Sequence, residues 1–190
     1  MVAMSASGSG SGHELVIRTR RLQLVAMTLA HIEAELQGGQ ALGPLLGVSV
    51  PSSWPPGEYD RDAMEFFRGR LLAGGPSHLG WYCWYAIGCD AYGRRDQLLA
   101  AAGYFGPPSD GSVEVGYSVI PEARGHGYAT EIVNALVGRA FEEPGVRVVI
   151  AHTVDSNVPS TRALLRCGFE RVGAGARPGT IGYRRVREGA

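Results

Sequence analysis

The sequence lacks a charge excess, a long apolar run and a cysteine framework, and each absence excludes a class of protein. Its 18 basic and 18 acidic residues cancel, which argues against a general nucleic-acid binder, since such proteins carry a basic excess or stripe. No run of about eighteen apolar residues exists, so no membrane span is expected. Cys83, Cys89 and Cys167 are the only cysteines and form no CxxC pair. That disfavours a disulfide framework and a thiolate zinc site alike, and a reducing cytoplasm fits. His13, His31 and His78 have no metal-ligand spacing, so no metal is expected. Met1–Gly12 is rich in Ser, Gly and Ala, without a basic n-region or an apolar h-region. Residues 1–13 are therefore expected to be a disordered tail or expression remnant, and 14–190 a single domain.

What is present alternates between two periods. Leu15–Ile17 starts a strand, and an extended alternation continues through Leu22 and Leu24 after the polar break Thr19-Arg20-Arg21. Thr28 caps a short helix ending at Gly38-Gly39, and Asp60 or Tyr59 opens a second that stops at Gly74-Gly75. Between them, 44–57 reads as a loop, because proline blocks helix interiors and central strands. Three β-prone runs, 81–87, 97–105 and 113–120, are separated by turns and form an antiparallel meander. From 127 to 143, apolar residues from Ala129 to Phe141 recur at helical spacing, giving a buried stripe. Strand 146–153, a short helix capped near Asn157, and strands 169–172 and 181–186 close the chain. The order β-α-α-β-β-β-α-β-α-β predicts a mixed α/β sheet.

The chemistry is concentrated where strand 113–120 runs through Pro121-Glu122-Ala123 into Arg124-Gly125-His126-Gly127-Tyr128-Ala129 and then into the long helix. Strand, glycine-rich turn, helix N-terminus is a phosphate-binding layout. The first helical N–H groups have no intrahelical partner, and the aligned peptide dipoles place partial positive charge there. Arg124 adds a full charge. A Walker loop is excluded because no Gly-Lys-Ser/Thr occurs, and a Rossmann fingerprint fits poorly because the unit lies in the C-terminal half.

Arg124, Gly127 and Ala129 match the Arg/Gln-x-x-Gly-x-Gly/Ala signature, and on these residues the chain resembles the GCN5-related N-acetyltransferases (GNAT). The flanks agree: Glu114–Glu122 resembles the family's fourth strand, and Ala151–Arg162 through Gly168-Phe169 resembles its fifth strand and following helix. Arg18–Leu22, Trp54-Pro55-Pro56 and Gly103–Gly106 are similar to the branch of ribosomal-protein N-terminal acetyltransferases.

The resemblance implies a GNAT fold: a mostly antiparallel, splayed sheet of six to seven strands flanked by about four helices. It implies acetyl-CoA as cosubstrate, its arm between the strand ending near Ile120 and strand 148–153. Val119 and Ile120 would hold the arm, Arg124, Gly125, His126, Gly127, Tyr128, Ala129 and Thr130 the pyrophosphate, and Asn157 the pantetheine or phosphate side. It also implies acetylation of an amine acceptor, a protein N-terminus or a small molecule, by direct attack. No nucleic acid or membrane is involved, and a homodimer is the expected assembly. The family's helix tyrosine falls on Leu164, so Ser160 takes its place as acid, and Glu114 is the best-placed base, ahead of Glu58 and Glu65. A module that binds acyl-CoA without catalysis is the alternative.

Overall fold

The apolar run at 81–87 is buried on both sides, and the sheet extends outward from it. The computed structural model of the chain describes residues 3–4, 14–38 and 41–189. In β4 (Cys83–Cys89), Trp84 and Ala86 face one core while Cys83, Tyr85 and Ile87 face another. A strand alternates its side chains, so a continuous apolar run signals cover on both faces. Antiparallel partners are β3 (Leu22–Ala26) on one side and β5 (Arg95–Tyr104) on the other, and β5 then pairs with β6 (Ser112–Val119). Gly103 is required at the β4–β5 register: its φ is +152°, and a Cβ there would sit 2.0 Å from the Tyr82 carbonyl oxygen.

The sheet is mixed and mostly antiparallel, with nine hydrogen-bonded strands among the described residues. The expected six to seven strands are exceeded for local reasons. The Thr19–Arg21 break is a hairpin between β2 (Val16–Arg18) and β3, held by Thr19 N–H donating to Leu22 O at 2.9 Å. Of the expected 1–13 tail, only β1 (Ala3–Met4) falls within the described residues, paired with Ile17 and Arg18.

Helices α1 (Leu29–Leu36) and α3 (Arg61–Gly74) begin where their caps predict, Thr28 accepting from His31 N–H and Asp60 from Ala63 N–H. The 44–57 loop needs correction, because α2 (Leu42–Leu46) contains Pro44. Proline is tolerated in a first turn, where its missing N–H has no intrahelical acceptor to lose. These three helices lie on the side of the sheet that carries Val25, Tyr85 and Ile87.

The other face is covered by α4 (Tyr128–Glu142), whose Ile132, Val133, Leu136 and Ala140 are buried against it. After α4 the chain forms β7 (Val148–Val154), α5 (Val158–Arg166), β8 (Glu170–Ala174) and β9 (Thr180–Val186). Among the described strands the one parallel pairing, β6 with β7, joins Ser112–Glu114 to Val148–Ile150 and goes no further. Beyond Glu114 the two strands part, and that splay positions the site.

Candidate active site

Strand alternation decides what enters the gap between β6 and β7. Ile120 N–H donates to Leu99 O, and Glu114 O accepts from Phe105 N–H. Even-numbered residues of β6 therefore spend their backbone groups on β5, while the N–H and C=O of Val115, Tyr117 and Val119 point toward β7. With no β7 pairing there, these groups, apart from the Val119 carbonyl, form an open strand edge along the gap. Side chains alternate as well. Val113, Val115 and Tyr117 face the α4–α5 side, and Glu114, Gly116 and Ser118 face the α1–α3 side.

A cleft of about 750 Å³ follows the gap, lined by β6, by Ala151–Val154 of β7, by Asn157, Ser160 and Leu164 of α5, and by aromatics from α3 and the end of β5. Glu114 and His152 meet on its α1–α3 side, His152 Nδ1 lying 3.0 Å from Glu114 Oε1. Arg177, from the turn before β9, brings Nη2 to 3.9 Å from the same oxygen. Ser160 and Tyr117 meet on the opposite side, their hydroxyl oxygens 2.9 Å apart. Burial pushes the Tyr117 hydroxyl up to about 12, against the opposing hydrogen bond with Ser160, so it keeps its proton at neutral pH, and it also donates to the Ser160 backbone carbonyl at 3.2 Å. Asn157 caps α5, its Oδ1 accepting from Ser160 N–H at 3.2 Å, which leaves its amide NH₂ as the donating end.

The glycine-rich loop begins as β6 ends. Gly125 and Gly127 have φ of +79° and +78°, left-handed values that favour glycine. A Cβ at Gly125 would meet nothing within 4 Å, so backbone conformation rather than lack of space demands it. Gly127 is the N-cap of α4 and supplies no side-chain acceptor, so the helix's first N–H groups, at Tyr128, Ala129 and Thr130, lack both an intrahelical partner and a side-chain cap. The sheet edge along the gap and this uncapped terminus together fit a ligand with an amide-bearing arm and an anionic end.

Of the expected site residues, the structure brings Ser160 and Asn157 onto one cleft, and Glu114 sits behind its lining residue His152. Val119 turns its carbonyl to Arg124, whose Nε donates to it at 3.0 Å, so Arg124 is folded back along the strand. Ile120 does not reach the gap: its N–H is taken by Leu99 O, its carbonyl by Ala123 N–H, and its side chain is buried. With His126 and Tyr128 it lines a separate hollow of about 190 Å³. His126 Nδ1 lies 2.8 Å from Arg124 O, and Thr130 O accepts from Cys167 Sγ. Glu58 lines the cleft, whereas Glu65 pairs with Arg61 and Arg68 on the outer face of α3. Among the described residues, no group of three or more His, Cys, Asp or Glu is placed to hold a metal ion.

Sequence reasoning missed four residues. Tyr117 and His152 each line the cleft from a recognised strand, but alternation gives only the face of each and not its partner. Arg177 comes from a turn without a motif. Arg21 crosses from the β2–β3 hairpin to the loop: Nε donates to Glu131 Oε2 at 2.7 Å, Nη1 donates to His126 O at 2.9 Å, and the guanidinium lies 4.4 Å over the Tyr128 ring. Thr19 Oγ and Arg21 N–H also donate to Glu131. Burial raises the Glu131 pKa, but these hydrogen bonds outweigh it and hold the carboxyl below its ordinary range.

Comparison with known proteins bears on the family and the fold. A family model described as an acetyltransferase (GNAT) domain matches residues 21–170. The uncharacterized N-acetyltransferase YjdG of Bacillus subtilis (strain 168) is 23% identical over 156 residues, 82% of this chain and 89% of that protein. Among solved structures, the ribosomal-protein-S5-alanine acetyltransferase from Vibrio fischeri superposes with a TM-score of 0.62 at 16% identity, covering 92% of this chain and 97% of that one. The aminoglycoside acetyltransferase AAC(6')-Ib in complex with coenzyme A gives 0.57 at 18%, covering 88% and 95%. At such identities the structural likeness speaks for the fold.

Proposed function

The chain belongs to the GNAT acetyltransferases, and on that premise we propose that it transfers an acetyl group from acetyl-CoA to a primary amine by direct attack. The carrying observation is the open edge of β6 leading to the uncapped N-terminus of α4. Backbone groups of Val115, Tyr117 and Val119 suit the amides of the pantetheine arm, and the N–H groups at Gly127–Thr130 suit the pyrophosphate. Asn157 donates from the α5 side. The Val119 N–H is the candidate donor to the thioester oxygen as charge develops there. When bound, the thioester supplies the acetyl group. Residues 14–190 act as one acetyltransferase domain on this reading.

Two proton transfers remain, and the two sides of the gap divide them. Glu114 and His152 form the basic side, where the amine loses a proton. Ser160 forms the acidic side, its hydroxyl able to protonate the departing thiolate and to be resupplied by Tyr117 at 2.9 Å. That second hydroxyl bears on the alternative of a binding module without catalysis. Leu164 removes the helix tyrosine, but Tyr117 brings an equivalent phenol to Ser160 from the neighbouring strand.

The test is CoA thiol release in the presence of a mixed panel of primary amines, with acetylated product identified by mass. Amine-dependent release supports the enzyme. Saturable acetyl-CoA binding without release across the panel supports the module. The chain contains no lysine, so release without added amine does not report acetylation of its own lysines.

A further inference from the structure

Opposite charges stand side by side where the acceptor would enter. On the α1–α3 side of the cleft, His152 lines the wall with Glu114 against its Nδ1, a proton-accepting pair, and the Arg177 guanidinium lies 3.9 Å from Glu114. That separation is too long for a hydrogen bond, and the same Glu114 oxygen is already engaged by His152. Arg177 thus keeps donors for a second carboxylate, which a guanidinium binds in bidentate fashion. Next to this pair the wall is aromatic. Phe105 lies 5.8 Å beneath Arg177 and rests on Gly116, where a Cβ would come within 2.9 Å of its ring. Phe66 packs edge-on against Phe67, and Phe67 continues to Tyr59. Phe66 and Phe105 remain 41% and 43% exposed although they line a cleft. Half-exposed large rings at a concave site are surface available for an apolar ligand.

Resting on the acetyl-transfer reading above, we propose that the acceptor is a free α-amino acid with a large apolar side chain. Its amino group sits at Glu114 and His152, its carboxylate binds Arg177, and its side chain lies among Phe66, Phe67 and Phe105. An α-amino acid carries ammonium and carboxylate on one carbon, which matches an acidic and a basic partner set close together beside an apolar wall. A protein N-terminus continues as a neutral amide and would leave Arg177 without an anion. A polycation would need several carboxylates, whereas among the described lining residues only Glu58 is acidic, with Glu114 behind His152. In the reaction the amine nitrogen bonds to the acetyl carbon as the carbon–sulfur bond breaks. Of the ammonium's three protons, one stays on the new amide, one leaves to solvent through the Glu114–His152 side, and one is balanced by protonation of the thiolate from Ser160.

The experiment compares kcat/KM for L-phenylalanine, L-leucine, L-phenylalaninamide, a tripeptide with N-terminal phenylalanine, and spermidine, in the wild type and in Arg177→Gln and Arg177→Lys. The expected result is at least a tenfold preference for L-phenylalanine over its amide. Arg177→Gln should bring the acid down to the level of the amide, and Arg177→Lys should recover part of the preference. Arg177 is 61% exposed at its side chain, so the variants are expected to fold. Equal use of acid and amide, preference for the tripeptide or spermidine, or a preference that survives Arg177→Gln would each overturn the assignment. Acetyl-CoA binding with no transfer to any amine overturns the acetyl-transfer reading itself, and the acceptor assignment with it.

Discussion

At the residue scale the site holds two hydrogen-bonded pairs on opposite faces of the sheet, to which the proposed mechanism gives the proton transfers. Tyr117 and Ser160 are joined at 2.9 Å, and Glu114 and His152 at 3.0 Å. Ser160→Ala is expected to lower kcat by about a hundredfold, a common contribution for a positioned acid. Tyr117→Phe should cost less, about tenfold, because Ser160 stays in place. Steady-state kinetics should show KM for acetyl-CoA little changed in both, and a large rise in that KM would move these residues from proton transfer to binding. The fold favours the protonated form of Tyr117, raised from 10 to about 12. Its contribution to stability is therefore whole below pH 10 and is lost as pH climbs through 12. Glu114 and Ser160 were legible in the sequence because each sits at a motif position. Tyr117 and His152 were not, because a tyrosine or histidine in a strand reads as core until the partner strand's departure at Glu114 is known.

At the element scale, two contacts hold the cleft in shape. Arg21 ties the β2–β3 hairpin to the loop and first turn of α4, compensating a carboxylate, Glu131, that would otherwise oppose an anion at the helix N-terminus. Arg21→Gln should raise the Kd for acetyl-CoA roughly tenfold, consistent with losing 1.4 kcal/mol or so, and the double variant with Glu131→Gln should recover part of it. Calorimetric titration checks this, and an unchanged Kd in Arg21→Gln would show that the latch is only structural. The other contact is buried Glu35 of α1, which accepts from Trp54 Nε1 and from the Tyr59 and Tyr85 hydroxyls. Glu35→Ala leaves three buried donors unmatched and should cost roughly 3 kcal/mol in denaturant unfolding, with Glu35→Gln costing less. Burial raises the Glu35 pKa above 4.5 despite those hydrogen bonds. Because the native state then holds a proton more tightly, this group's contribution falls as pH rises from 4.5 through the raised value. A pH–stability slope unchanged in Glu35→Gln would contradict that.

Caps made three of the helix starts readable. Thr28, Asp60 and Asn157 each place a side-chain oxygen on the third backbone N–H beyond, as their sequence positions predict. Helix α2 was hidden by Pro44, which reads as a breaker unless its place in a first turn is known. The β2–β3 hairpin was hidden because Thr19, Arg20 and Arg21 lack the Gly or Asn that usually marks a tight turn.

For the whole molecule, one departure between parallel strands organises everything else. Among the described residues the sheet is continuous through nine strands yet open from Glu114 onward, so on the proposed mechanism one ligand passes between its faces and meets Glu114 and His152 on one side and Ser160 on the other. Among the described residues no helix is long and apolar enough to cross a membrane. Family and cofactor class were legible because they rest on a contiguous loop, 124–129. Acceptor chemistry was not, because it is assembled from α3, the end of β5, β7 and the turn at Arg177, which are distant in sequence and share no motif. The most direct test of the central claim is titration of acetyl-CoA into the wild type and into Gly127→Glu. The wild type should bind one equivalent saturably, and the folded variant should lose binding because a carboxylate then faces the pyrophosphate. Equal affinity in a folded Gly127→Glu protein would contradict the site.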